Sequence, residues 1–222
     1  MDLKEIGKKQ FIDKGTTGRC YLLEDGNVVK IFNNPRGLYE IDRFEHFLYY
    51  ENDSFMFPHD FIFDSKKFYG YITKYASGET LDRVFSKSNL LQLSTHSLKL
   101  EKNIDFVSSG GITLYDFHPR NLMYDGKKYS AIDHDEYGVG TDIEEIKRRN
   151  QSYHRILIGK LFLEKLDKFD YQHTKLITDK VREYMYSPIK PSEMIIKLKE
   201  RIDREYKEDI KTLDDMDKIV RR

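Results

Sequence analysis

The apolar residues of this chain change their period near residue 76, and few folds accommodate such a change. Before it they fall in short runs at 10–12, 19–23, 27–32, 61–63 and 68–75, which read as strands. Asp25-Gly26 is a hairpin signal between two of these runs, and Asp64-Ser65-Lys66-Lys67 is the expected loop between the last two. One helix interrupts them over 38–50, with Leu38, Ile41, Phe44, Phe47 and Leu48 at helical spacing. After residue 76 the helical period takes over. A helix over 90–108 is stopped by Gly110-Gly111. Further helices are expected over about 142–168, 172–186 and 192–220, punctuated by Pro188 and Pro191. Only two short strands, 122–124 and 129–132, stand among them, joined through Asp125-Gly126. The expected class is α+β: a small antiparallel sheet with one helix over 1–75, then a mostly helical 76–222.

Composition removes several classes of function. Lys+Arg and Asp+Glu are both 38, a formal net charge of zero, which argues against a protein that coats nucleic acid or an anionic membrane. Residues 1–11 carry no apolar core of a signal peptide, and no apolar run is long enough to span a bilayer. The single cysteine, Cys20, permits no internal disulfide and fits a reducing compartment. Neither it nor the seven histidines shows zinc-ligand spacing. The expectation is a cytoplasmic protein without a membrane span or a nucleic-acid partner.

Four segments carry chemistry, in a fixed order. In Ile12-Asp13-Lys14-Gly15-Thr16-Thr17-Gly18 two glycines lie between strands, where backbone N–H groups could approach phosphate oxygens without a Cβ clash, although an ordinary hairpin turn reads the same way. In Val28-Val29-Lys30-Ile31-Phe32 a lysine stands inside an apolar strand, which is costly unless a carboxylate holds it; Glu45 and Glu40 on the following helix are the candidates. In Leu114-Tyr115-Asp116-Phe117-His118-Pro119-Arg120-Asn121 an Asp precedes an Asn by five residues. Asp116 can accept a proton or orient a nucleophile, and Asn121 can offer its amide oxygen to a cation. In Ala131-Ile132-Asp133-His134-Asp135 a carboxylate ends a strand on the far arm of the hairpin that begins after Asn121. Asn121 and Asp133 together are the hard oxygen set that suits Mg²⁺.

The ordered set resembles the protein-kinase-like superfamily over about residues 6–165. The resemblance implies a bilobal fold, with a β-sheet N-lobe over 1–75 and a helical C-lobe over 76–222. It aligns Gly15 and Gly18, with Thr16 and Thr17 between them, with a phosphate-covering loop. It aligns Lys30 with the lysine that holds the α/β-phosphates, and Lys74, Tyr75 and Ala76 with the hinge that takes the adenine. It makes Asp116, Asn121 and Asp133 the catalytic Asp, the loop Asn and the metal-binding Asp. Glu45 is preferred over Glu40 as the partner of Lys30 because the gap between them is close to the family's spacing. ATP and Mg²⁺ are the implied cofactors. The implied reaction is γ-phosphoryl transfer to a hydroxyl, on a protein serine or threonine first, on a small molecule second. A nucleotide-binding pseudokinase is the third reading.

The chain also departs from the family pattern. Asp13 stands where a first loop glycine is usual, and Leu114-Tyr115 replaces His-Arg before the catalytic Asp. Tyr115 cannot answer a loop phosphate as that Arg does, so activity should not require loop phosphorylation. His134-Asp135 replaces Phe-Gly, with Asp135 expected to be a solvated acid. His118-Pro119 occurs in aminoglycoside and choline kinases as well as in some bacterial protein kinases. The connection after Asp133 is short, and the charged amphipathic segment 195–222 is expected to be a helix packed on the helical lobe.

Overall fold

The computed structural model describes residue 6, residues 9–64 and residues 66–220, and the chain divides into two compact units between Ala76 and Ser77. In the first, β1 (Gln10–Lys14), β2 (Gly18–Leu22), β3 (Asn27–Arg36), β4 (Pro58–Phe63) and β5 (Phe68–Lys74) form an antiparallel sheet of order β1-β2-β3-β5-β4. The helix α1 (Tyr39–Phe47) buries Ile41, Phe44 and Phe47. Successive side chains on a strand point to opposite faces. On β3, Phe32 joins Phe44, Phe68 and Tyr71 in a cluster of tilted and edge-on rings with centroids 5.2–6.5 Å apart, the geometry such rings prefer. Val29, on the opposite face, packs with Ile6, Leu23, Ile62 and Ile72. Lys30 shares its strand face with Phe32.

The second unit opens with the short helix α2 (Leu81–Val84) and is built on α3 (Leu90–Ser109), α4 (Ile143–Leu166), α5 (Tyr171–Met185) and α6 (Pro191–Tyr206). Their starts are legible as capping chemistry. Asn89, Asp142 and Asp170 accept from backbone N–H groups of the first turns of α3, α4 and α5 at 2.9–3.2 Å, and Pro191 occupies the first turn of α6. Helices α4 and α5 approach closely at Gly159, where a Cβ would lie 2.1 Å from Met185 Cγ. Two small sheets complete the unit. β6 (Glu79–Thr80), β8 (Leu122–Tyr124) and β9 (Tyr129–Ala131) form one, and β7 (Ile112–Thr113) with β10 (Gly138–Val139) the other. No helix among the described residues is long and apolar enough to cross a membrane.

The expected helix over 192–220 is not continuous. It ends at Tyr206, where Lys207 takes a left-handed conformation (φ 55°), and the chain returns to a short helix, Met216–Ile219. The turn is held by Asp203, whose carboxylate accepts from the Ile210 N–H at 2.9 Å and from Lys199, which also reaches Asp209. Ile210, Leu213 and Met216 are nonetheless fully buried. Their helical spacing reported burial, and the polar residues between them decided the path. The strand expected at 61–63 also begins earlier, at Pro58.

Candidate active site

In the first unit, the turn from Gly15 to Gly18 is closed by a Gly15 N–H bond to the Gly18 carbonyl (2.9 Å). It is tied to β3 by Asn33, which donates from its side chain to Thr16 O (3.0 Å) and from its backbone to Thr17 O (2.8 Å). The two glycines differ. A Cβ on Gly18 would stand 2.5 Å from the Ile31 carbonyl oxygen and 3.4 Å from Lys30 Cε, whereas one on Gly15 would meet nothing nearer than 4.0 Å. Gly18 is therefore required by the sheet, whereas the space over Gly15 is open, as a phosphate cradle would need. Asp13 accepts from the Lys14 N–H at 2.7 Å, beside a bulge in β1.

Lys30 is buried, paired in register with Cys20 on one side and Tyr71 on the other. Glu45, the expected partner, lies on α1. It is exposed, because the buried stripe of α1 runs through Ile41, Phe44 and Phe47. Glu40 is engaged by Arg43 (3.0 Å) and Arg36 (3.7 Å). Lys74 forms an ion pair with Glu51, which holds the Glu51 carboxyl below its ordinary value. Tyr75 is half exposed and Ala76 buried.

In the second unit, three of the singled-out residues converge. Asn121 donates from its amide nitrogen to the Asp116 carboxylate (2.9 Å) and to the Asp116 main-chain oxygen (3.2 Å). The Asn121 main-chain carbonyl accepts from the Ile132 N–H (2.8 Å), which extends the β8–β9 ladder by one rung and brings Asp133 alongside. Asp116 and Asp133 both hold left-handed backbone (φ 57° and 60°), a conformation that costs a non-glycine residue about 1 kcal/mol or more and concentrates at functional sites. Tyr137 lies beneath, 1% exposed, and its hydroxyl is pushed above its ordinary range by burial and then by the charges of Asp133 and Asp116. Both carboxylates therefore act on one buried point.

This donor set fits a hard divalent cation. With its nitrogen turned to Asp116, Asn121 presents its amide oxygen elsewhere, and Asp133 adds a carboxylate. Among the described residues no cluster of three or more His, Cys, Asp or Glu is placed to hold a metal. A Mg²⁺ held by this pair would take the rest of its shell from phosphate oxygens and water, as Mg²⁺ prefers. Asp135 corrects an expectation: it is 2% exposed rather than solvated. The chain turns inward after Asp133, where buried His134 stacks edge-on against Tyr137 at 5.0 Å.

The residues that hold this loop were not singled out in the sequence. Asn150, fully buried on α4, accepts from the Leu114 N–H (2.9 Å) and donates to Ile112 O and Ser108 Oγ (2.8 Å each). His154, one turn on, stacks against Phe117 (6.0 Å) and shares a 3.3 Å hydrogen bond with Ser97. Burial pushes its pKa down to about 3. The signal was available: Ile146, Asn150, His154 and Leu157 form one helical stripe, and polar residues on a buried stripe mark something they must hold. Tyr115 accepts from Arg149 at 3.0 Å. His118 accepts from the Arg120 N–H at 3.3 Å and so caps the turn Pro119–Asn121.

No protein-family model matches the sequence, and a comparison with curated proteins finds no match. Solved structures do match. The autoinhibited serine kinase domain of the giant muscle protein titin aligns with a TM-score of 0.59 at 12% identity, over 86% of this chain and 80% of that one. The Cydia pomonella granulovirus kinase PK-1 aligns at 0.48 and 21% identity, over 62% of this chain and 55% of that one. At such identities the likeness to the titin domain is one of fold, and the chain has a protein-kinase-like fold.

Proposed function

We propose that this chain is a kinase that transfers the γ-phosphoryl group of ATP to a hydroxyl acceptor. The observation that carries this reading is the pair of left-handed aspartates, Asp116 and Asp133, with Asn121 reaching from beside one to bond the other. Backbone strain is retained at both positions where the resemblance requires a carboxylate. In this reading the Gly15–Gly18 turn and Lys30 hold nucleotide phosphates, and Lys74, Tyr75 and Ala76 take the adenine. Asn121 and Asp133 hold Mg²⁺, which when bound supplies neutralisation of phosphate charge. Asp116 orients the acceptor hydroxyl and takes its proton, while Asn121 fixes the rotamer of Asp116.

Two acceptor classes fit this chemistry, a protein serine or threonine and a small-molecule alcohol. The connection between Asp133 and the helix cap Asp142 is only residues 134–141, which leaves little chain for an activation segment and favours the small molecule. Phosphotransfer from radiolabelled Mg-ATP to a panel of protein substrates, aminoglycosides, choline, sugars and simple alcohols tests the reading. Label on an alcohol supports it. Nucleotide binding without transfer to any acceptor or to water would make the chain a pseudokinase.

A further inference from the structure

Beside Asp116 lies a cavity of about 170 Å³, contained within the second unit. Its floor is one face of α4, since Tyr153, Ile156, Leu157 and Lys160 recur at three- and four-residue spacing. The Asp116 loop runs along that helix in the same direction. Leu114 is pinned at Asn150, Phe117 stacks at His154, and Pro119 follows on the wall. Lys160 stands six residues beyond His154, which at roughly 1.5 Å per residue is about 9 Å further along the axis. The cavity is thus a slot with Asp116 at one end, apolar walls from Phe117, Pro119, Ile156 and Leu157, and the exposed Lys160 at the other.

We infer that this slot is the acceptor subsite, and that it takes a small alcohol with a single-ring apolar body and an anionic group opposite the hydroxyl. The inference rests on the reading of Asp116 given above and narrows it. A cavity of about 150 Å³ suffices for one benzene ring, so the volume fits one ring and little more. Asp116 is the only carboxylate in the lining, and where it engages the reacting hydroxyl, a cation on the other end of the acceptor would have no carboxylate to face. Lys160, at the far end, complements an anion. Polycationic acceptors such as aminoglycosides, and the quaternary ammonium of choline, therefore do not suit this slot.

Three matched probes test it: p-hydroxymethylbenzoate, p-methylbenzyl alcohol and p-aminomethylbenzyl alcohol, titrated into the full chain by saturation-transfer NMR without nucleotide. The expected order of affinity is anion, neutral, cation, over a span of about tenfold for one exposed charge. Lys160→Glu, a surface change, reverses that order, and Ile156→Trp, which fills the slot, weakens all three. Equal affinities, no binding, or an order unmoved by Lys160→Glu overturns the inference. So does phosphorylation of a serine peptide by a chain that binds none of the probes. Binding in the expected order without transfer from Mg-ATP supports the slot and counts against the kinase reading, so the two fail separately.

Discussion

Single residues in this chain separate what the fold needs from what a ligand needs. Gly18 has no room for a methyl group against the Ile31 carbonyl, while Gly15 has open space. Gly18→Ala is therefore expected to destabilise the protein by about 1–3 kcal/mol in denaturant titrations, as overpacking does. Gly15→Ala should leave stability within about 0.5 kcal/mol and weaken Mg-ATP binding, read by calorimetry. Equal effects of the two on stability would count against the assignment. Asn150 belongs to the same scale. Asn150→Ala leaves the buried Leu114 N–H and Ile112 carbonyl without their partner, at about 1–3 kcal/mol for each such group. That loss is measurable as a lower midpoint, and transfer activity should fall with it as the Asp116 loop loosens. At this scale the sequence was legible where chemistry is unusual, in a lysine amid valines or an Asp and an Asn five apart. It was not legible for Asn150, whose role depends on a partner loop 36 and 38 residues away in the chain.

Elements were readable wherever period and caps agreed. α3, α4 and α5 begin at Asn89, Asp142 and Asp170 as their capping side chains dictate. Two-residue strands such as β7 and β10 carry no period and exist only through each other, so no sequence pattern announces them. The break after α6 has a similar cause. Hydrophobic spacing continues through Ile210, Leu213 and Met216, but Lys199 draws Asp203 and Asp209 together at 2.6 and 2.8 Å and bends the chain between them. Lys165, buried on α4, likewise holds Asp214 and Asp217 at 2.9 and 2.8 Å. The last segment is therefore packed into the unit. Met216→Ala should cost about 2–5 kcal/mol, as for other fully buried large side chains, in a urea or guanidinium titration. A change below about 0.5 kcal/mol would show the segment to be a detachable arm.

For the whole molecule, stability responds to pH through two kinds of group, a buried imidazole and lysine-paired carboxylates. His154 has its folded pKa pushed down to about 3 from 6.5. A group depressed on folding contributes stability that is present above its unfolded pKa and lost as pH falls toward the folded value. Stability should thus decline from about pH 6.5 downward, with a slope of up to about 1.4 kcal/mol per unit from this residue. Asp209 and Asp214, held below their ordinary values against opposing burial at Asp214 by Lys199 and Lys165, add loss only below about pH 4, the ordinary aspartate range. Thermal unfolding of the parent and of His154→Gln across pH 4–7 separates the two: the variant should lose most of the parent's slope, the remainder belonging to His96, which burial also holds below its ordinary value. In the proposed reaction Asp116, strained and bonded by Asn121, is the group that receives the acceptor's proton. The direct measurement is transfer of radiolabelled γ-phosphate from Mg-ATP by the purified chain and by Asp116→Ala, with nucleotide affinity measured alongside. The expected result is a loss of at least about a hundredfold in transfer, the range for removing a general base, with nucleotide affinity nearly unchanged; full transfer by Asp116→Ala would contradict it.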